Sequence, residues 1–511
     1  MEQITKISDD LAALYAEGNR RQWALFTTGF DFGVQEINEK LDAYRKDKNN
    51  FKIVSEYKNR DLDPIEQRGA DLLFKEFQWN HLSERASRLK KEINELQIQL
   101  VDLQNKHRIQ IGGIDYTSSQ IAEILNKDPN QERRREAFLS RTQINRKLID
   151  GGFLKLLDLR REYALACGRK DFASLKLETD ELNSEMFNSF VEECSSRISV
   201  LKEKESQIAQ ESLNENWIEP WDFSYIKNLF CSFNSQPVDL VNFLEPLKSV
   251  FRSFGFDLDG LNITFDIFPR KNKSEWGYNF IIEPGVESRV LTNAGGQFYD
   301  YWILLHEAAH GVHYLGLDKN KKLINRGVSG MVSEGFANFF GNLAYSKEFL
   351  SEIFGQGFNE AYIAFKKLSS VSDLQAFELI QQTIFDQRLY LSEVSTMNGV
   401  EELVWQTRRE LLGKEPYADE PVWGHLIHHT SVPIYLHNYF LGDVMCEKMK
   451  EVFQRRSGQH WAEDPKGFGG FWKDEVLKPS GRYPFPELFE RVCGEKISIG
   501  SYLDKCLKYE E

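Results

Sequence analysis

His306 and His310 stand four residues apart, with Glu307 directly after the first, inside the stretch Y-W-I-L-L-H-E-A-A-H-G at residues 301–311. On an α-helix, residues i and i+4 project from one face, about 6 Å apart along the axis. Two imidazoles set that way can share a metal ion. A carboxylate beside the first can reach a water held on that ion, a spacing suited to metal-assisted hydrolysis. Three fixed residues are a weak pattern alone, and a charged helix with a histidine pair is the plain alternative. The apolar run before the motif weighs against it: this helix is expected to be buried, and ionisable groups buried without partners are costly.

A catalytic zinc takes three protein ligands and keeps one position open. Glu334, in V-S-E-G-F-A-N-F-F, follows His310 by 24 residues, enough for a loop and a returning helix, and is the third candidate. Asn338, one turn further on the same face, is placed to hydrogen-bond a ligand histidine. Of ten histidines, seven fall in two windows: 306–313 and G-H-L-I-H-H-T-S-V-P-I-Y-L-H-N-Y-F at 424–440. Hydrolysis of an amide needs donors for the oxyanion of the tetrahedral intermediate, a role that suits His428 or His429 and Tyr439 or Tyr435.

These residues need a large scaffold, and a chain of 511 residues can bury a core of more than one domain or two lobes. The net charge of −14 argues against nucleic-acid binding as the main task. Residues 1–17 carry no basic start followed by an apolar run, and no stretch of about 18 apolar residues is present, so neither a secretory signal nor a membrane span is expected. The six cysteines are scattered without a C-x-x-C pair, which points to reduced thiols and a cytoplasmic location.

Helical spacing runs through residues 7–44. Residues 66–107 read as one amphipathic helix or a hairpin arm, with Leu89, Ile93, Leu96, Leu100 and Leu103 on one face. Gly112-Gly113 ends it. Thr117-Ser118-Ser119 and Asp128-Pro129-Asn130 read as start signals for the next two helices, residues 132–166 read as helical throughout, and another helix is expected over 184–211. W-I-E-P-W-D-F at 217–223 reads as the joint between two halves. Alternating β-branched segments at 262–268, 277–282 and 288–292 predict a small sheet just before the histidine helix. Helices follow to the end, with turns at 413–421 and 467–470.

H-E-A-A-H-G-V-H together with Glu334 resembles the gluzincin peptidases, the clan of thimet oligopeptidase, oligoendopeptidase F and angiotensin-converting enzyme. P-W-D-F-S-Y at 220–225, F-D-I-F-P-R-K-N-K at 265–273 and Y-L-H-N-Y-F-L-G-D-V at 435–444 are similar to clan segments. The resemblance covers about residues 217–449. It implies a mainly α fold, with two helical halves flanking a deep substrate channel and a small β-sheet next to the histidine helix. Residues 1–215 would be lid and channel wall, and 216–511 the catalytic lobe. It implies one Zn2+ per chain on His306, His310 and Glu334, with Glu307 as general base. Tyr439 would stabilise the oxyanion with His429 or His428 beside it, and the strand ending near Asn293 would pair with the substrate backbone. The expected function is hydrolysis of internal bonds of short peptides by metal-activated water. The alternatives are a dipeptidyl carboxypeptidase-type exopeptidase or a retired peptidase that only binds peptides. The chain departs from the clan at Ala309, where Gly is common, and at Asn338, where the converting-enzyme family has Asp. With His429 as the oxyanion partner, Ile427 stands where the converting enzyme has a lysine that binds the substrate C-terminus, which puts dipeptidyl carboxypeptidase activity in doubt.

Overall fold

The computed structural model describes residues 2–508 and is mainly α, 69% helical. Its β structure is a two-stranded hairpin and a three-stranded sheet. Helix starts follow side-chain chemistry: Asp47, Asp63, Ser83, Asn130, Asp171 and Thr396 each accept a backbone N–H of the first turn. Thr117 and Gln120 form a reciprocal capping box.

Several expected single helices are broken. The run at 66–107 is two helices, Pro64–Gln78 and Glu84–Lys106, because Ser83 caps a new start. Leu89, Ile93 and Leu100 of the second are buried, so its apolar face packs against the molecule. Gly112-Gly113 makes more than a stop: with φ of 58° and 81° it turns a hairpin between Ile109–Ile111 and Ile114–Tyr116, the left-handed pair that two-residue hairpin loops require. Residues 132–166 are interrupted at Gly152, whose φ of 103° no ordinary side chain favours. The span 184–211 is split into Met186–Ser195 and Ile198–Leu213. The glycines at 467–470 lie inside the helix Pro465–Trp472, where a Cβ on Gly469 would sit 1.9 Å from the Phe254 carbonyl oxygen. Gly469 thus serves close packing, and the segment is helix where a turn was expected.

The chain forms two compact units, each from three segments: Met1–Leu82, Asn234–Tyr362 and Leu441–Lys496 in the first; Ser83–Phe233, Ile363–Phe440 and Ile497–Glu511 in the second. This partition differs from the division into 1–215 and 216–511. The segment 217–223 falls within the second unit, where Trp221 is buried with Ile109, Ile121, Leu125 and Ala137, and Asp222 accepts from the buried Arg134 guanidinium at 2.6 Å.

In the first unit the sheet order places Glu287–Leu291 at the centre, parallel to Ile263–Asp266 and antiparallel to Tyr278–Glu283. The N-terminal helix Glu2–Thr28 covers the sheet, with Trp23 and Phe26 edge-on to Phe280. The helix Gly330–Asn342 sits among rings of the same unit, with Phe340 stacked on Phe251 at 4.4 Å and Phe336 packed on Trp472 at 4.7 Å. Among the described residues, no helix is long and apolar enough to cross a membrane.

Candidate metal centre

His306, Glu307 and His310 lie on the helix Tyr299–Leu315, and Glu334 on Gly330–Asn342. Small residues let these helices and the sheet approach. A Cβ on Gly311 would meet Ile263 Cδ1 at 2.7 Å, and one on Gly341 would meet Trp302 at 3.1 Å and His306 Cβ at 3.4 Å. Ala308 and Ala309 are fully buried, so the departure at 309 fills core and faces no ligand.

Among the described residues, His306, His310 and Glu334 are the one trio of histidine, cysteine or carboxylate side chains able to hold an ion, with ligand atoms within 4.8 Å of one another. The two Nε2 atoms are 3.3 Å apart. His306 Nε2 lies 3.7 Å from Glu334 Oε2, and His310 Nε2 lies 3.7 Å from Glu334 Oε1. Two ligands each about 2.0–2.2 Å from a tetrahedral zinc stand roughly 3.3–3.6 Å apart, so the donors are spaced for such an ion. Their protonation fits as well. Burial pushes His306 down to about 4, and burial with the neighbouring His306 and His313 pushes His310 down to about 3. Both rings are therefore neutral at pH 7, as metal ligation demands. His310 Nδ1 is 2.8 Å from Ser333 Oγ, and the His306 ring stacks on Trp302. His313 is no fourth ligand: it is buried against Phe336 and Trp472.

Burial, with the Glu334 carboxylate adding to it, pushes Glu307 up to about 8. Its carboxyl lies over the start of the strand Tyr278–Glu283, where a Cβ on Gly277 would stand 3.2 Å from Glu307 Oε1. Gly277 makes room for the carboxylate. Sequence reading missed it, since a glycine before a strand has no local mark of such a neighbour.

Asn338 donates from Nδ2 to Asp443 Oδ1 at 2.9 Å, and its amide also neighbours His306. Asn293 follows the central strand Glu287–Leu291, whose two edges are already paired with Ile263–Asp266 and Tyr278–Glu283. The Asn293 side chain donates to the Ser274 carbonyl at 2.8 Å.

The remaining candidates lie in the second unit. His428 Nε2 is 3.3 Å from Tyr439 Oη, and the Tyr435 and Tyr439 rings meet edge to face at 5.5 Å. Both tyrosines are exposed, 41% and 49%; such rings are placed to meet something outside the core. Tyr435 precedes the helix Asn438–Ser457, and Tyr439 lies in its first turn. His429 is buried, with Nδ1 3.1 Å from Asp386 Oδ1, while Asp386 Oδ2 accepts the Ile434 N–H at 2.5 Å. Ile434 has φ of 55°, a strained conformation for a β-branched residue. Asp386 thus holds both the buried histidine and the turn leading to the tyrosines. Arg160, also buried, donates to the carbonyls of His429 and Thr430. Neither anchor was visible in sequence, because each acts on partners far along the chain.

No family model matches this chain, and no curated protein matches it by sequence. Solved structures do. An M32 carboxypeptidase from Deinococcus radiodurans R1 is 16% identical with a TM-score of 0.67, covering 99% of this chain and 97% of that one. PZ peptidase A, solved with inhibitor 2, is 15% identical with a TM-score of 0.64, covering 95% and 88%. The structure of CHT is 14% identical with a TM-score of 0.71, covering 99% and 98%. At these identities the likeness is one of fold.

Proposed function

We propose that this chain is a zinc metallopeptidase that cleaves internal bonds of short peptides. The observation that carries the reading is the convergence of His306, His310 and Glu334 at metal-ligand spacing, with Glu307 on the same helix. Its fold likeness to an M32 carboxypeptidase and to PZ peptidase A supports it.

A Zn2+ held by His306, His310 and Glu334 would supply Lewis-acid polarisation of the scissile carbonyl and activation of water. Glu307, as the carboxylate, takes the proton from the attacking water and later delivers it to the leaving amine. Tyr439 donates its hydroxyl proton to the oxyanion, with His428 orienting that hydroxyl. His429 and Asp386 hold the turn that carries the tyrosines. Backbone beyond Leu291, at Asn293, pairs with the extended peptide.

The expected result for Tyr439→Phe is a kcat about 100- to 1,000-fold lower with little change in KM; a kcat near wild type would remove Tyr439 from the oxyanion site. A carboxypeptidase among the neighbours makes an exopeptidase the second reading. Mass spectrometry of a mixed set of peptides, about 5 to 20 residues long and including acetylated and amidated forms, separates the two. Internal cuts insensitive to blocked ends support the endopeptidase. Cuts that vanish when one end is blocked move the assignment to the exopeptidase. Zinc binding with no cleavage leaves a peptide-binding protein.

A further inference from the structure

The helices Gly330–Asn342 and Asn438–Ser457 cross at two glycines. A Cβ on Gly335 would sit 2.2 Å from the Gly442 carbonyl oxygen, and one on Gly442 would sit 2.0 Å from that of Met331. Backbones approach this closely only where neither residue has a side chain. The residue after Gly442 is then delivered to the Glu334 helix: Asp443 Oδ1 accepts from Asn338 Nδ2 at 2.9 Å. A carboxylate only accepts, so the nitrogen end of the amide is the one turned to Asp443, and Asn338 Oδ1 is left to accept elsewhere. His306 is its neighbour. The Nδ1 of His306 is buried and has no partner with hydrogen-bond geometry; the turn that follows Asn338 packs on this residue, since a Cβ on Gly341 would meet His306 Cβ at 3.4 Å, and the Asn338 amide is the hydrogen-bonding side chain beside the ring.

We propose that Asp443 is a positioning residue for the metal centre: by fixing the Asn338 amide it presents Asn338 Oδ1 to the Nδ1–H of His306, so that His306 keeps its proton on Nδ1 and turns Nε2 toward the ion. The inference rests on the metal-binding reading of His306, His310 and Glu334. Glu307 and Glu334 already bring two carboxyl groups to this site. An amide against the imidazole, with the carboxylate one side chain further back, orients the ring without a third negative charge in contact with it. His310 is backed by a hydroxyl alone, that of Ser333, so the two histidines are held by different devices.

The test is Zn2+ affinity of the full-length protein, measured by competition with a chromophoric chelator, beside the unfolding temperature of the metal-free form. Asp443→Ala is expected to weaken Zn2+ binding about 10- to 100-fold, the usual cost of losing a partner behind a ligand. The pair Asn338→Asp with Asp443→Asn, which exchanges amide and carboxylate, is expected to restore affinity to within about threefold of wild type. This exchanged pair keeps the test open should Asp443→Ala fail to fold. Asp443→Ala with wild-type affinity and a lowered unfolding temperature would make Asp443 a packing residue only, and an exchanged pair no tighter than Asp443→Ala would also overturn the inference. Wild-type protein that binds no Zn2+ would instead sink the metal site itself, a separate failure.

Discussion

Glu307→Gln is expected to lower kcat on short peptides by about 100- to 10,000-fold, the range for loss of a general base, while leaving Zn2+ affinity within a few-fold of wild type. The amide has the shape of the carboxyl, so the space left by Gly277 and the helix packing are retained, but it cannot accept a proton from water. The same substitution makes a stability prediction for the metal-free protein. The folded-state proton affinity of Glu307 is raised, to about 8, by burial and by Glu334. The folded state therefore holds this proton more tightly than the unfolded chain does. Stability falls as pH rises from the ordinary carboxylate range through about 8 in wild type, and Gln removes that loss. Glu307→Gln should match wild type in unfolding temperature at pH about 4 and exceed it at pH about 8. Turnover near wild type would remove Glu307 as the base. Loss of turnover together with loss of Zn2+ would show that the substitution disturbed the ligands instead.

The parts of the site that could be read from sequence are those whose geometry is local. His306 and His310 share a face because helical periodicity puts them there, and the strands before them show themselves by alternation. Glu334 was reachable because a short return is all that separates the two helices. What stayed hidden depends on partners distant in sequence. Asp443 beside Asn338, Asp386 beside His429 and Gly277 beneath Glu307 are single residues of common type, and their meaning exists only once the chain is folded. His428 and His429 stayed open as alternatives for the same reason: neighbours in sequence, they diverge because Asp386 takes one into the core while the other meets Tyr439. Glycine misled twice. At 467–470 the expected turn is helix, with Gly469 alone pressed on Phe254, and at 151–152 it breaks a helix that composition made continuous. Units that each take three separate segments of the chain leave no single compositional border for one aromatic segment to mark.

His310→Ala is expected to remove Zn2+-dependent behaviour altogether. In wild type, a free ion concentration about 100 times Kd should stabilise the folded state by about 2.7 kcal/mol, read as a rise in unfolding temperature on adding Zn2+ and a return on chelation. The variant keeps His306 and Glu334, but two ligands fall short of the three a catalytic zinc site uses, and the rise should vanish with the activity. A buried histidine can also matter through packing alone, so the control must be of that kind. His313 lies one turn further along the helix, buried against Phe336 and Trp472 and away from the ligand trio. His313→Ala should lower the unfolding temperature with and without the ion by similar amounts, because it opens a cavity and leaves the ligands in place. If His310→Ala behaves like His313→Ala, with the Zn2+-induced rise intact, the 3.3 Å approach of the two Nε2 atoms is core packing and no metal centre. If only His310→Ala abolishes the rise, the ion is held where the three donors converge, and hydrolysis is the chemistry the remaining residues are arranged to complete.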